Sequence, residues 1–472
     1  LPMSYWFYNL IKNSFAQESI PVTYQGFDIG TDKIPVYLTK NEFAKIIQSL
    51  PQLIKVYQTE NWVLARNDLQ ELDTLIPQAY AYEYQVFWQN FSNKSHPIHA
   101  QSYADAHALT KTLRENDMLR KMVGIIQNAT SPITEKSEIA DIFNKEVASK
   151  FSDINLVSNS TIQNLITTLD ELEKYLSTMS VVTDNGRTAF NLAKSRFTDD
   201  NLANPVSSLF NQSKQLPQPL STWAQQIAGD VWFTVMHDSR EYVNYKWQNE
   251  IIPEYKNKIA ARFPFANNEQ DEISINDFNN FFAQNGTLNN FVNDYVKPFL
   301  DTANANWRLK EVNSYVLPIK QEIINELIRA NVITNMFFAN SSNKTKVNFS
   351  LQKVRLDPEI ASLQLRIGGI KMFNSQETED GSTEFSWPET GARLTLNAID
   401  GQQYEIEELG PWALFKILQK INVLVDKQDS RNLQIMFEIN GNAGRYILTA
   451  ESPVNPFIPG ILNEFNLPEV IV

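Results

Sequence analysis

Cysteine is absent from all 472 residues, which excludes disulfide staples, zinc–thiolate sites, iron–sulfur clusters and thiol nucleophiles together. Packing must therefore carry the stability. A cysteine-free chain suits an oxidising compartment and a bacterial cytosol about equally. No stretch reaches the ~18 consecutive apolar residues of a membrane-spanning helix, and no charged, apolar, small-residue leader opens the chain. The first residues are Leu1-Pro2, which points to a piece of a longer protein whose anchor or address lies elsewhere. Cations are outnumbered, 41 Lys and Arg against 54 Asp and Glu, for a net charge of -13. Such a surface repels phosphate backbones and anionic headgroups, so neither nucleic acid nor a membrane surface is expected as a partner.

What the chain does have is apolar mass: 43% hydrophobic residues, with 28 Phe, 17 Tyr and 9 Trp. That excludes the disordered class, and the length exceeds the roughly 250 to 300 residues at which a single core stops growing, so two or more subdomains are expected. Six of the 15 glycines precede residue 336 and the other nine follow it, marking a change of architecture. Before it the period is helical. Ser160-Thr161-Ile162-Gln163 has capping-box form, and Leu165, Ile166, Leu169, Leu172, Leu176 and Met179 line one face. A second helix is predicted over Pro318 to Ala330, and another over Lys40 to Tyr57. After residue 345 the period is two: Val347, Phe349, Leu351; Leu363, Leu365, Ile367; Leu394, Leu396; Leu433, Ile435, Phe437, Ile439. Asn440-Gly441 supplies hairpin chemistry, with the loop extending to Gly444. Leu414, Phe415, Leu418, Ile421 and Leu424 predict one helix over Trp412 to Val425 within the sheet pattern. The fold class expected is α+β multidomain: a mixed or helical subdomain over residues 1–115, a helical one over 116–335, and a β-sandwich with an inserted helix over 336–472.

No catalytic constellation is assembled in the sequence. Gly26 to Lys33 has its glycines too close for a phosphate-binding loop, and Asp32 stands where the lysine belongs. Ala266 to Phe278 fails as a calcium loop at three positions, so Ser274 or Asn276 reads as a helix cap. His96, His99 and His107, with Asp105, lack a helical pair that would hold zinc and read as solvated loop histidines. His237-Asp238 are sequence neighbours, which point apart on a helix or strand, and no G-x-S-x-G elbow provides a nucleophile. The aromatic series Tyr80, Tyr84, Phe87, Phe91, with Tyr82 and Trp88, has the spacing of a buried helix face. No catalytic residue, cofactor or metal is expected.

From the middle of the chain onward the motifs form an ordered series. Trp247, Tyr255 and Ile259 lead into Arg262-Phe263-Pro264-Phe265, Phe278, Phe281-Phe282, Gly286-Thr287-Leu288 and Phe291. Trp387-Pro388, Gly410-Pro411-Trp412-Ala413-Leu414-Phe415-Lys416, Asn455-Pro456-Phe457 and Phe465-x-Leu467-Pro468 follow. This series resembles the periplasmic, carboxy-terminal region of the IcmF/TssM family, the large inner-membrane subunit of type VI and Dot/Icm-type (IVB) secretion machines. Tyr37-Leu38-Thr39 and Trp62-Val63-Leu64 are similar to the same family, with Ala65 where many members have glycine. The asparagine- and glutamine-rich composition looks more like a Dot/Icm version. The resemblance implies a cytoplasmic NTPase-like domain and transmembrane helices outside this chain, a DotU/TssL-like partner in the inner membrane, and other envelope components around the periplasmic part.

The motif residues Arg262, Phe263, Pro264, Phe265, Gly410, Trp412, Phe415, Pro456, Phe457 and Phe465 look structural, with no nucleophile or base among them. The expected function is a non-catalytic periplasmic scaffold of an envelope-spanning secretion complex. The alternatives are a periplasmic or secreted carbohydrate-binding or carbohydrate-cleaving protein and a cytosolic helical adaptor. Three structural expectations accompany it. Asn374 to Glu384, with Glu377, Glu379 and Asp380, forms an exposed loop that could contact a partner. Trp412 and Phe415 are core residues of the β domain. Pro456 to Pro468 docks on the β domain through Phe457 and Phe465, leaving Val470-Ile471-Val472 as an edge strand or partner contact.

Overall fold

Aromatic residues at helical spacing form the interior of the first half. In the computed structural model, which describes residues 3–60, 71–181, 184–198, 204–338, 342–378 and 381–472, Tyr80, Tyr84, Trp88 and Phe91 are buried along helix Leu72–Lys94. Trp88 takes the inward place predicted for Phe87, and Tyr82 is exposed. Each polar tip is satisfied: the Tyr80 hydroxyl donates to the Tyr37 carbonyl at 2.6 Å, Tyr84 to Ala129 at 2.8 Å, and the Trp88 indole to Leu38 at 2.8 Å. Burying such groups without partners would cost about 1 to 3 kcal/mol each. On the neighbouring helix position Glu83 accepts from the hydroxyls of Tyr8 and Tyr37 and from Lys12, tying helix Met3–Lys12 to helix Leu72–Lys94.

The chain forms two units, residues 1–196 with 200–238, and residues 197–199 with 239–472. The division over 1–115, 116–335 and 336–472 groups the chain by type of secondary structure, whereas the two units group it by packing. Among its described residues the first unit is helical apart from short strand pairs, Ser19–Pro21 with Lys33–Pro35 and Phe27–Asp28 with His96–Pro97. Helix Asn159–Met179 buries Ile162, Leu165, Leu169, Leu172, Leu176 and Met179 as the period demands. Its cap is Ser158, two residues before the predicted Ser160, because the Ser158 side chain accepts from the Thr161 N–H.

The second unit opens with helical turns and ends in a sandwich. Its helix Gln321–Phe337 starts later than the predicted Pro318 and runs past Ala330, since Ile333, Met336 and Phe337 continue the buried face. The sandwich strands are β1 (Val347–Leu356), β2 (Ile360–Ile367), β3 (Ile370–Ser375), β4 (Ser382–Trp387), β5 (Ala392–Ala398), β6 (Gln403–Glu408), β7 (Asn422–Val425), β8 (Asn432–Ile439) and β9 (Asn442–Ala450). They build a five-stranded sheet in the order β4-β1-β9-β8-β7 and a four-stranded sheet in the order β6-β5-β2-β3, with antiparallel pairing throughout.

The structure departs from three local expectations. The inserted helix covers only Ala413–Gln419; Asn422–Val425 pairs with β8 instead, and Leu424 is 65% exposed. Backbone pairing at the sheet edge outweighs the three-residue apolar spacing that suggested one long helix. The β8–β9 hairpin closes on two residues, Ile439 opposite Asn442. Asn440 and Gly441 have φ of 51° and 83°, the type I′ geometry that Asn-Gly favours, so no loop reaches Gly444. The predicted loop Asn374 to Glu384 is shorter: Asn374 and Ser375 end β3, and Ser382 to Glu384 begin β4.

Candidate interaction site

Aromatic side chains from distant parts of the sequence meet in the second unit, where its helical part joins the sandwich. Phe263 and Phe265, around Pro264, are buried. Phe265 stacks on Phe282 at 5.4 Å, and Phe278 reaches Phe337 and Trp412 at 5.1 and 5.4 Å. Trp412 then contacts Trp387 at 4.8 Å and Phe415 at 5.0 Å, and Phe415 contacts Phe457 at 4.9 Å. Phe457 in turn packs on Phe349 of β1 at 4.7 Å. Both indoles are satisfied, Trp412 donating to the Ile273 carbonyl and Trp387 to the Pro411 carbonyl, each at 2.7 Å. Trp412 and Phe415 are thus core residues, and their core includes the helical part as well as the β domain.

The tail departs from expectation in its second half. Phe457 packs on the sandwich, but Phe465 packs on Tyr255, Phe265 and Phe282, and therefore on the helical part. Beyond it the Trp247 indole donates to the Pro468 carbonyl at 2.9 Å, Lys320 N–H donates to the Ile471 carbonyl at 3.0 Å, and the Ile471 N–H reaches Asn244 at 3.1 Å. Ile471 and Val472 are buried and form no strand. Burial raises the pKa of the Tyr255 hydroxyl, which lies 3.3 Å from Asn466.

A charged cluster beside this joint carries no sequence signature. Lys416, 8% exposed, pairs with Glu272 at 2.9 Å, and Lys420 pairs with Glu408, whose hydrogen bond holds the Lys420 pKa above its ordinary value. Gly410 passes over the Glu272 carboxylate with φ of 82°, and a Cβ there would collide with it. Gly410→Ala is expected to lower stability by at least about 2 kcal/mol, from backbone strain plus disruption of the ion pair. Gly441→Ala, at the same φ but facing open space, is the control in urea unfolding and should cost less. Arg262 is half-buried, 3.7 Å from Asp271.

The other candidates do not assemble into a site. Glu377 is exposed after β3, while Glu379, Asp380, Trp62, Val63, Leu64 and Ala65 lie outside the described residues. His96 lies 3.8 Å from Asp28 and His99 3.1 Å from Asp230, and His107 stands apart on helix Tyr103–Glu115. Among the described residues no three His, Asp or Glu side chains converge as metal ligands. His237 Nδ1 comes within 3.4 Å of Asp238, closer than sequence adjacency on a helix predicted. Ser274 caps helix Ile275–Phe282 by accepting from Asp277 N–H. No helix among the described residues is long and apolar enough to cross a membrane.

Residues 239–343 match the Type VI secretion protein IcmF helical domain, and residues 349–452 match the Type VI secretion protein IcmF C2-like domain. Both IcmF domain models thus match in order within the second half of the chain. Both matched regions lie within the second unit, and the aromatic chain through Phe278 and Trp412 joins them, extended by Phe457 of the tail. The type VI secretion system component TssM1 of Pseudomonas aeruginosa is 23% identical over 273 residues, 57% of this chain. The chain spans 25% of that relative's length. A chain of a type VI secretion system membrane core complex shares the fold with a TM-score of 0.72 at 15% identity, over 100% of this chain and 99% of that one. A chain of a type VI membrane complex does so at 0.68 and 15%, over 99% and 93%. The fold shared with these two chains therefore includes the first unit, which neither domain model covers.

Proposed function

We propose that this chain is the periplasmic scaffold of an envelope-spanning secretion complex of the type VI or Dot/Icm (type IVB) class. It joins the inner-membrane subcomplex, including a DotU/TssL-like subunit held by the rest of the protein, to other envelope components. The observation that carries this reading is the occurrence of both IcmF domains, in order and contiguous, at residues 239–343 and 349–452. The role is structural because the motif residues are spent on the packed joint and, among the described residues, no base, nucleophile and orienting group come together around a cleft. Such an assembly acts through protein contacts and through a rigid link between its helical and β parts. Crosslinking the full-length protein in membranes, then capturing it, is expected to recover inner-membrane and envelope secretion subunits, and their identity separates type VI from Dot/Icm machines. Turnover of a substrate by the purified chain, abolished by a single carboxylate or histidine substitution, would overturn the non-catalytic role.

A further inference from the structure

The outer face of the four-stranded sheet carries a row of charges that pairing within the chain leaves unfinished. Lys371 of β3, Arg366 of β2, Arg393 of β5 and Glu407 of β6 stand in register across the sheet, each exposed. Arg393 donates to Glu407 at 2.8 Å and lies 3.8 Å from Glu405, so the acids at that end are engaged. Arg366 and Lys371 oppose each other directly, and among the described residues neither forms an ion pair. Like charges opposite each other destabilise a sheet, and here they sit together in a chain with an excess of acids.

The same strand is an open edge. β3 ends its sheet, and its hairpin with β2 pairs Ile367 with Ile370 around Gly368-Gly369. The closing pair of a two-residue hairpin is the hydrogen-bonded one, so Lys371, Phe373 and Ser375 turn their N–H and C=O groups away from β2. Ser375 bears this out, its N–H donating to Thr378 Oγ1 at 2.9 Å. The outward N–H and C=O of Lys371 and Phe373 take no such partner among the described residues. Phe373 is 51% exposed on the same outer face as Lys371. A lone edge lysine commonly guards against strand addition; an exposed phenylalanine two residues on favours it.

We propose that β3 accepts an extended segment of a partner protein as a fifth strand, with an acidic side chain opposite Lys371 and an apolar one opposite Phe373. The recognised pattern is acid-x-apolar, because residues two apart on a strand share a face. Each feature asks for a different part of that occupant: the free backbone groups for a strand, the opposed cations for a carboxylate, Phe373 for an apolar neighbour. An anionic lipid surface would meet only the cations and leave the edge unpaired. This contact rests on the reading that the chain works through protein partners.

The probe is a labelled peptide of about twelve residues repeating Glu-Thr-Val-Thr, compared with its Lys-Thr-Val-Thr counterpart and with phosphatidylglycerol vesicles, against the whole chain. The glutamate peptide should bind and protect the Lys371 and Phe373 amides from hydrogen exchange, and the lysine peptide should not. R366E/K371E should weaken the glutamate peptide by at least about tenfold and admit the lysine peptide, a reversal that misfolding cannot mimic. Phe373→Pro, which removes an outward N–H without touching the ladder to β2, should abolish binding with the unfolding midpoint retained. The proposal is overturned if the glutamate peptide fails to bind, if both peptides bind alike, or if the vesicles alone use Arg366 and Lys371. In cells, normal assembly of full-length R366E/K371E sinks the edge contact and leaves the scaffold reading standing. Normal assembly without residues 349–452 sinks the scaffold reading itself.

Discussion

Trp412→Ala is expected to destabilise the second unit by about 3 to 5 kcal/mol, the cost of deleting a large buried aromatic and leaving a cavity. The side chain is fully buried, and it touches Phe278 and Phe337 of the helical part as well as Trp387 and Phe415 of the β part. Its loss also strands the Ile273 carbonyl, which accepts the indole N–H. For a unit of this size the shift in melting temperature should be about 10 °C. Because the residue joins two parts, calorimetry should also show the single transition of the second unit broadening or splitting. An unchanged melting temperature would mean that Trp412 is accessible and free for a binding role.

Removing the end of the chain should have a still larger effect. Deletion of residues 464 to 472 takes away Phe465, Leu467, Ile471 and Val472, all buried. At roughly 1.5 to 3 kcal/mol for each apolar side chain, the total rivals the roughly 5 to 15 kcal/mol that holds a whole domain folded. The deletion also leaves the Trp247 indole, Asn244 and the Lys320 N–H without their partners. The truncated chain is expected to aggregate or to lose cooperative unfolding on calorimetry and size exclusion. A truncated protein that stays monomeric and equally stable, yet no longer enters the secretion complex, would make the tail a partner-binding peptide rather than an internal strap. The point variant Phe465→Ala should weaken the helical part, where Tyr255, Phe265 and Phe282 surround the ring, before it weakens the sandwich.

The sandwich was legible because a half-buried strand writes its environment into alternate residues. Val347, Phe349 and Leu351, or Leu433, Ile435 and Phe437, are all buried, and the alternation alone places them inward. Asn440-Gly441 was legible for a similar local reason, since few residue pairs tolerate two consecutive positive φ angles. The end of the inserted helix was not legible. Leu418, Ile421 and Leu424 repeat by three whether or not the chain stays helical, and the competing partner, β8, comes later in the sequence. Ser158 rather than Ser160 as a cap was likewise a choice between two serines, two residues apart, of equal local chemistry.

By itself the sequence determined the class of the protein, the order of its helical and β parts, the need for its tail to dock and the motif series of the IcmF/TssM family. All of these rest on composition, on periods of two or three to four, or on residue order, which a chain carries locally. Tertiary structure decided what meets what: Phe465 against the helices rather than the sandwich, Lys416 against Glu272, Lys371 beside Arg366 at an open edge. Apolar and charged side chains are not selective over sequence distance. Their partners are fixed by which faces the folded backbone brings within contact range, and no local period records that choice.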